Sequence, residues 1–335
     1  MLKTAVVGLG WWGRQIVTSL QGSDEIIVTH GVDVNVASAA PFAAEMNIAL
    51  APSYEDVLAE AAIDAVILAT PHGLHEEQVM QAAAAGKQIF CEKPLALNEA
   101  AAERMLAACD AAGITLGLGH ERRYEPALEE LHRMAGSGEL GTIQHLEVNW
   151  SHNLFAAAPA GGWRQDKTQA PAGTLTALGV HITDFMQTIA GPVAELTARM
   201  SDRSADFPGE DIISVQFVFA SGITGTMCNI AATPFYQRIS VFGDRGWAES
   251  REVSNVDIPD PATLTWRGMD EEIHSRTYRS IDTVRLNLDA WAAAIAGKSE
   301  YRFARLEKLH NVQILEAIVK SASDGGTHKI PSGRP

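Results

Sequence analysis

Close behind the start of the chain, the apolar run Thr4-Ala5-Val6-Val7 leads directly into Gly8-Leu9-Gly10-Trp11-Trp12-Gly13. Three glycines at that spacing behind a buried-type strand require a tight strand-to-helix turn with bare backbone on it. Gly8 permits the turn, Gly10 lets the backbone approach a pyrophosphate, and Gly13 allows the helix to pack on the strand. Free amides and the dipole at that helix start attract phosphate. A second strand ends in Asp33, 20 residues beyond Gly13. A carboxylate there accepts hydrogen bonds from both hydroxyls of an adenosine ribose and repels a 2′-phosphate. Val34 and Asn35 bring no arginine to hold one. The pattern predicts a dinucleotide site, with NAD as cofactor and NADP as the alternative.

The first third of the chain alternates strand and helix. Residues 6–7, 26–32, 65–70, 88–91 and 115–118 are short runs rich in Val, Ile and Leu, as strands buried on both faces require. Ser53 with Asp56 forms a capping-box pattern, Asn98 an N-cap, and Gly86 and Gly113 end helices. This alternation predicts an α/β fold, a doubly wound parallel Rossmann sheet over residues 1–122, with ligands at the carboxyl ends of its strands. After about residue 122 the strands lengthen and hairpin signals appear at 220–222 and 243–246. Helices are expected over 175–189, 284–296 and 302–323. Residues 123–335 therefore read as an α+β domain for substrate binding and oligomerisation, with a large, mostly antiparallel sheet.

A chain of 335 residues fits two such cores. With 26 basic and 41 acidic residues the formal net charge is −15. Such a surface repels phosphate backbones and anionic lipid, so neither nucleic acid nor membrane is an expected partner. It does not exclude an anionic substrate, which responds to the local field of a cleft. Cys91, Cys109 and Cys228 show no metal or redox spacing, so no metal site is expected and the thiols read as reduced. The N-terminus runs almost directly into the first strand, leaving no room for a signal peptide, and no apolar run reaches a membrane span. The expected location is cytoplasmic.

The chemistry-bearing residues fall in four places. Phe90-Cys91-Glu92-Lys93-Pro94-Leu95 follows a buried strand, and Pro94 disfavours helix for Lys93, holding it in an extended turn at the sheet edge. An ammonium there polarises or orients the substrate oxygen whose carbon exchanges hydride. Thr70-Pro71-His72 ends the third buried strand, a position that favours cofactor contact through backbone and the Thr70 hydroxyl; His75 opens the next helix and reads more as a cap or packing residue than as a chemical one. His181 and Asp184 lie three apart on one helical face of the stretch 171–184. A histidine there titrates near neutrality and suits transfer of a hydroxyl proton, although an isolated histidine is more often structural. The segment 152–172 carries Trp163, Arg164, Asp166 and Lys167, for which cleft lining and plain loop surface are both open. Trp11 and Trp12 likewise have two readings, covering the cofactor or packing in part against the core.

Together these motifs resemble one family, the glucose–fructose oxidoreductase, inositol dehydrogenase and rhizopine-catabolism group (Gfo/Idh/MocA). The resemblance spans the chain and is carried by the glycine loop at 8–13, Asp33, the stretch 65–94 ending in Cys-Glu-Lys-Pro, Gly119-His-Glu-Arg-Arg-Tyr-Glu-Pro126 and the 173–184 helix. It implies that Lys93 is the family's active-site lysine and His181 the histidine of its Gly-x-His-x-x-Asp helix. Asp184 is then that motif's trailing acid, near substrate, and Arg123 matches the arginine that opens the second domain near the cleft. Many members carry an aspartate four residues before the histidine; here that position is Ala177. Asp184 or an acid from 152–172 is the expected substitute.

The resulting expectation is an NAD(P)-dependent dehydrogenase acting on a secondary alcohol or ketone of a sugar, cyclitol or related ring diol. Lys93 and His181 do the chemistry. Asp184, Arg123, Trp163 and Arg164 meet substrate; the cofactor set is Gly8 to Gly13 with Leu9, Trp11 and Trp12, together with Asp33, Thr70, Pro71, His72, His75, Glu92 and Lys93. The alternatives are an NADPH-dependent aldehyde or ketone reductase of the same family and a non-catalytic dinucleotide sensor. Val215, Phe217 and Phe219 alternate along one strand, on a sheet face expected to be covered by self-association into a homodimer or homotetramer.

Overall fold

The computed structural model describes residues 1–153, 162–163, 166–172, 174–204, 211–253 and 260–331. The chain forms two units, one of residues 1–121 and 282–308, the other of 122–281 and 309–335.

The first unit holds six parallel strands: β1 (Leu2–Val7), β2 (Ile26–Val32), β3 (Ala49–Leu50), β4 (Ala65–Leu68), β5 (Gln88–Cys91) and β6 (Leu116–Leu118), in the order β3-β2-β1-β4-β5-β6. The order reverses beside β1, as in a doubly wound sheet. Helices α1 (Trp11–Ser19), α2 (Val36–Glu45), α3 (Tyr54–Ala59), α4 (His75–Ala84) and α5 (Glu99–Ala111) connect the strands. All four residues of β4 are fully buried, which is why its sequence runs apolar without alternation. The Ser53 hydroxyl accepts the Asp56 amide and the Asn98 side chain the Ala101 amide, each starting a helix as its sequence predicts.

The second unit begins with α6 (Pro126–Ser137) and is built on β7 (Ile143–Ser151), α7 (Val180–Ala190), β8 (Val193–Ser201), β9 (Ile212–Phe219), β10 (Thr224–Ile230), β11 (Tyr236–Gly243), β12 (Trp247–Glu252), β13 (Ala262–Arg267) and β14 (Ile273–Tyr278). With β15 (Thr327–Lys329) the strands form one nine-stranded sheet, β14-β13-β12-β11-β7-β10-β9-β8-β15, antiparallel except for the β7–β10 pair. Helix α8 (Thr283–Ile295) belongs to the first unit, and α9 (Arg305–Asp324) passes from the first unit to the second.

Two sequence expectations change here. The helix near 284–296, expected in the second domain, packs on the first sheet as α8. Trp291 is fully buried, donates its indole N–H to the Thr115 carbonyl at 2.7 Å and packs edge-on against Phe90. Gly117 leaves the room: a Cβ there would lie 2.4 Å from Phe90 and 2.8 Å from Trp291. The second change concerns Val215, Phe217 and Phe219, expected on an uncovered face. They are buried within the chain, because α7 supplies the cover, Met186 reaching the Gly225 backbone beside Phe219. Ser214, Gln216 and Val218 point the other way. That outer face carries a cross-strand charge ladder, Glu147–Arg238–Glu249–Arg251. Among the described residues, no helix is long and apolar enough to cross a membrane.

Candidate active site

In the first unit the glycine loop has the shape its sequence demands. Gly8 sits at φ +93°, and a Cβ on Gly13 would lie 1.8 Å from the Gly8 carbonyl oxygen, so neither position admits a side chain. Gly10 differs: nothing lies within 4 Å of where its Cβ would be. It is the N-cap of α1 and has no side chain to satisfy the first amides of the helix. Open space over free amides at a helix start fits a pyrophosphate. Asp33, at the end of β2, accepts the Leu9 amide on Oδ2 and the Asn35 amide on Oδ1, both at 2.7 Å. The loop from Gly8 to Gly13, with Asp33 beside it, has room and free amides of the kind a dinucleotide needs. Sequence reasoning missed Arg14, the guanidinium beside this loop. It donates to the Leu9 carbonyl and the Ser38 carbonyl, reaching the start of α2 from α1.

Around the carboxyl ends of β4 and β5, two loops are joined by one side chain. His75 is fully buried, with Nδ1 2.9 Å from the Pro94 carbonyl oxygen and Nε2 3.0 Å from that of Thr70. Burial lowers its pKa, against the carbonyls and with the nearby Lys93 charge, and the ring faces protein on both edges. The Thr70 hydroxyl donates to Gln78 Oε1 at 2.5 Å; Pro71 and His72 are half-buried at the start of a short 3-10 turn. Lys93 is half-buried, joined to Pro94 by a cis peptide, and donates its amide to Glu92 Oε2 at 3.3 Å.

Glu92 is buried against the backbone of Gly119, where a Cβ would come within 2.5 Å of its carboxylate. Burial and then the Glu121 carboxylate push its pKa up to about 8, while the Trp12 indole and Lys93 oppose the shift. The two tryptophans divide: Trp11 is 55% exposed, and Trp12 is half-buried next to Glu92.

In the second unit, α7 carries His181 and Asp184, both buried. A single π-helical turn, Leu175–Gly179, leads into it and contains Ala177. Gly179 sits close under its neighbours, where a Cβ would meet the side-chain ends of Leu175 at 2.5 Å and Asn229 at 2.8 Å. Asp184 and Arg123 find each other: Oδ1 and Oδ2 each accept from the guanidinium at 2.6 Å, a bidentate pair with both residues buried. His181 packs against the ring of Trp150, which sequence analysis did not single out. Trp163 is half-buried, Asp166 and Lys167 are exposed, and Arg164 lies outside the described residues.

Comparison with known proteins fits this geometry. Residues 2–120 match the model of an oxidoreductase family with an NAD-binding Rossmann fold, and residues 128–249 match the C-terminal domain of the same family. The chain is 28% identical over 332 residues to D-xylose 1-dehydrogenase (NADP(+)) 2 of Haloferax volcanii, covering 98% of each protein. It is 27% identical to D-apiose dehydrogenase of Paraburkholderia graminis, over 98% of this chain and 90% of that protein. Among solved structures, aldose-aldose oxidoreductase from Caulobacter crescentus shares the fold with a TM-score of 0.88 at 24% identity, over 98% of this chain and 99% of that one. With both family models matched and both sheets in place, the chain belongs to the Gfo/Idh/MocA family of NAD-binding oxidoreductases.

Proposed function

We propose that this protein is an NAD-dependent dehydrogenase that oxidises a secondary alcohol of a sugar, cyclitol or related ring diol, with NADP as the weaker alternative. The observation that carries the reading is Lys93, at the carboxyl end of β5 in a sheet whose first turn is shaped for a dinucleotide. The pentose dehydrogenases among its relatives support the substrate class. The nicotinamide, when bound, accepts the hydride. Lys93 holds the substrate oxygen with its ammonium, and His181 takes the hydroxyl proton as the carbon gives up hydride. Asp33 reads the adenosine ribose, Glu92 and His75 fix the Lys93 turn, and the Arg123–Asp184 pair sets the helix that carries His181. Trp163, half-buried in the segment before the π-helical turn, lines the substrate.

A screen of aldoses, pentoses, polyols and ring diols with NAD and NADP, followed by absorbance of the reduced cofactor, tests this. Turnover of at least one such compound with NAD is expected. Tight cofactor binding with no turnover across the panel would favour the sensor reading instead.

The same reading makes the chain a cytoplasmic homodimer or homotetramer. Three free thiols, Cys91, Cys109 and Cys228, suit a reducing compartment. Val218 and Tyr236, each 40% exposed on the outer face of the large sheet, support self-association. Light scattering at micromolar concentration is expected to return at least twice the chain mass, and a monomer would sink the assignment.

A further inference from the structure

The peptide joining Leu9 to Gly10 can turn over. Doing so carries φ of Gly10 from −66° into the positive range, which glycine accepts and other residues resist. One side chain holds this plane: Arg14 Nε donates to the Leu9 carbonyl at 2.9 Å. A trans peptide is flat, with its carbonyl and N–H on opposite edges. The same bond therefore fixes the Gly10 N–H on the side away from the guanidinium. The planes before it are held by β2, where the Gly8 amide donates to the Val32 carbonyl at 2.8 Å and the Leu9 amide to Asp33.

Arg14 is held in its turn by α2. Nη2 donates to the Ser38 carbonyl at 2.8 Å and to the Ser38 hydroxyl at 3.3 Å, and the guanidinium carbon lies 5.4 Å from the ring centre of Phe42. The Asn35 side chain accepts the Ser38 amide and so fixes that first turn.

Two observations separate Arg14 from a plain strut between α1 and α2. A strut needs only Ser38, whereas Nε is spent on a loop carbonyl whose plane glycine leaves free to turn. The partners of Arg14 are also all neutral groups, while Arg122, Arg123 and Arg133 each pair with a carboxylate. Its charge is left to act on the loop.

We propose that Arg14 is a positioning residue of the cofactor loop, holding the Leu9–Gly10 peptide so that the Gly10 amide stays turned to the pyrophosphate. It does this from beneath, without touching the cofactor. The proposal rests on the dinucleotide reading of the glycine loop and is independent of substrate and of the residues assigned to proton transfer.

The test is binding to the full-length protein, measured calorimetrically with NADH, ADP-ribose and adenosine, beside the melting temperature of the free protein. Arg14→Met keeps the apolar stem and removes the fork. It is expected to weaken NADH and ADP-ribose about 10-fold, the worth of one charge-assisted hydrogen bond. Adenosine meets Asp33 but carries no phosphate, and its affinity should stay near the wild-type value. With a substrate found by the screen, KM for NAD should rise while kcat at saturating NAD is kept. Arg14→Lys can reach Leu9 or Ser38 but not both, so its ADP-ribose affinity should fall between the two proteins. That variant carries the test if the methionine protein does not fold. Wild-type ADP-ribose affinity in either variant, or a loss for adenosine as large as that for ADP-ribose, would overturn the proposal. A wild-type protein that binds neither NADH nor ADP-ribose would instead remove the dinucleotide reading, and this proposal with it.

Discussion

The Leu9 amide donates to Asp33 Oδ2 at 2.7 Å, so the carboxylate proposed to read a ribose also ties down the loop proposed to hold the pyrophosphate. Cofactor choice and loop order are therefore coupled through one side chain. NAD should bind more tightly than NADP, because ribose hydrogen bonds and repulsion of a 2′-phosphate act in the same direction. Asp33→Ser with Asn35→Arg should narrow or invert that preference, helped by Arg14, already at Ser38. The loop bond is lost as well, so both cofactors should weaken by about 10-fold, the worth of one charge-assisted hydrogen bond. Fluorescence titration of each reduced cofactor measures both effects. Equal or tighter NADPH binding by the wild-type protein would reverse the assignment.

The glycines of the loop separate folding from binding. Gly13→Ala would set a Cβ against the Gly8 carbonyl, backbone against backbone, and should lower the melting temperature of the free protein. Gly10 has an ordinary extended backbone, φ −66° and ψ −170°, and open space at its Cβ. Gly10→Ala should therefore melt like wild type and lose cofactor affinity, since the added methyl occupies the place of the pyrophosphate. If Gly10→Ala binds NADH normally, the pyrophosphate lies elsewhere.

Lys93 and His181 are assigned to act on the reacting oxygen and its proton. Alanine at either should lower kcat by about 10²-fold to 10⁴-fold, with cofactor affinity nearly intact. Lys93→Arg should not rescue, because a planar fork cannot replace a compact ammonium. Ala177 is half-buried in the π-helical turn before α7. An acid there stabilises the imidazolium, so Ala177→Asp should move the acidic limb of the pH–rate profile upward. Rate measurements across pH on one substrate decide all three points.

Much of this was legible in the chain, and the reasons differ by element. The parallel sheet announced itself through uninterrupted apolar runs such as Ala65–Leu68, and through caps at Ser53 and Asn98 that the structure uses as such. The exchange of α8 between units was not legible, because Trp291 reads as a generic buried aromatic until Gly117 is seen opposite it. Alternation in β9 correctly separated two faces but carried no information about which one α7 would cover. Within the candidate site, local motifs are what single out Lys93, His181 and Asp33. The contacts of Trp150 and Arg122 depend on strand register and on a helix that begins 30 residues after Trp150, and no local spacing encodes them. Asp184, expected to face substrate, is bidentate to Arg123, a partnership across 61 residues.

Glu92 gives the first unit a pH dependence of unusual sign. A carboxyl paired with a cation usually stabilises a fold as pH rises past its ordinary pKa. Here burial and the neighbouring Glu121 favour the protonated form, and the folded pKa is about 8 against an ordinary 4.5. Between those two values the folded chain holds a proton that the unfolded chain has released, so raising the pH favours unfolding. Stability from this group is fully present below about pH 4.5 and declines progressively up to about pH 8, where the folded carboxyl itself ionises. Glu252, buried in the second unit with its pKa also pushed up to about 8 by burial and then by Glu125, adds a decline of the same sign. Glu92→Gln keeps the shape and hydrogen-bonding capacity of the protonated acid without the titration. The wild-type melting temperature should fall across this window, and Glu92→Gln should fall less, gaining on wild type as the pH rises. Parallel melting curves for the two proteins at every pH would show that Glu92 is ionised in the folded state and that its burial costs the fold nothing.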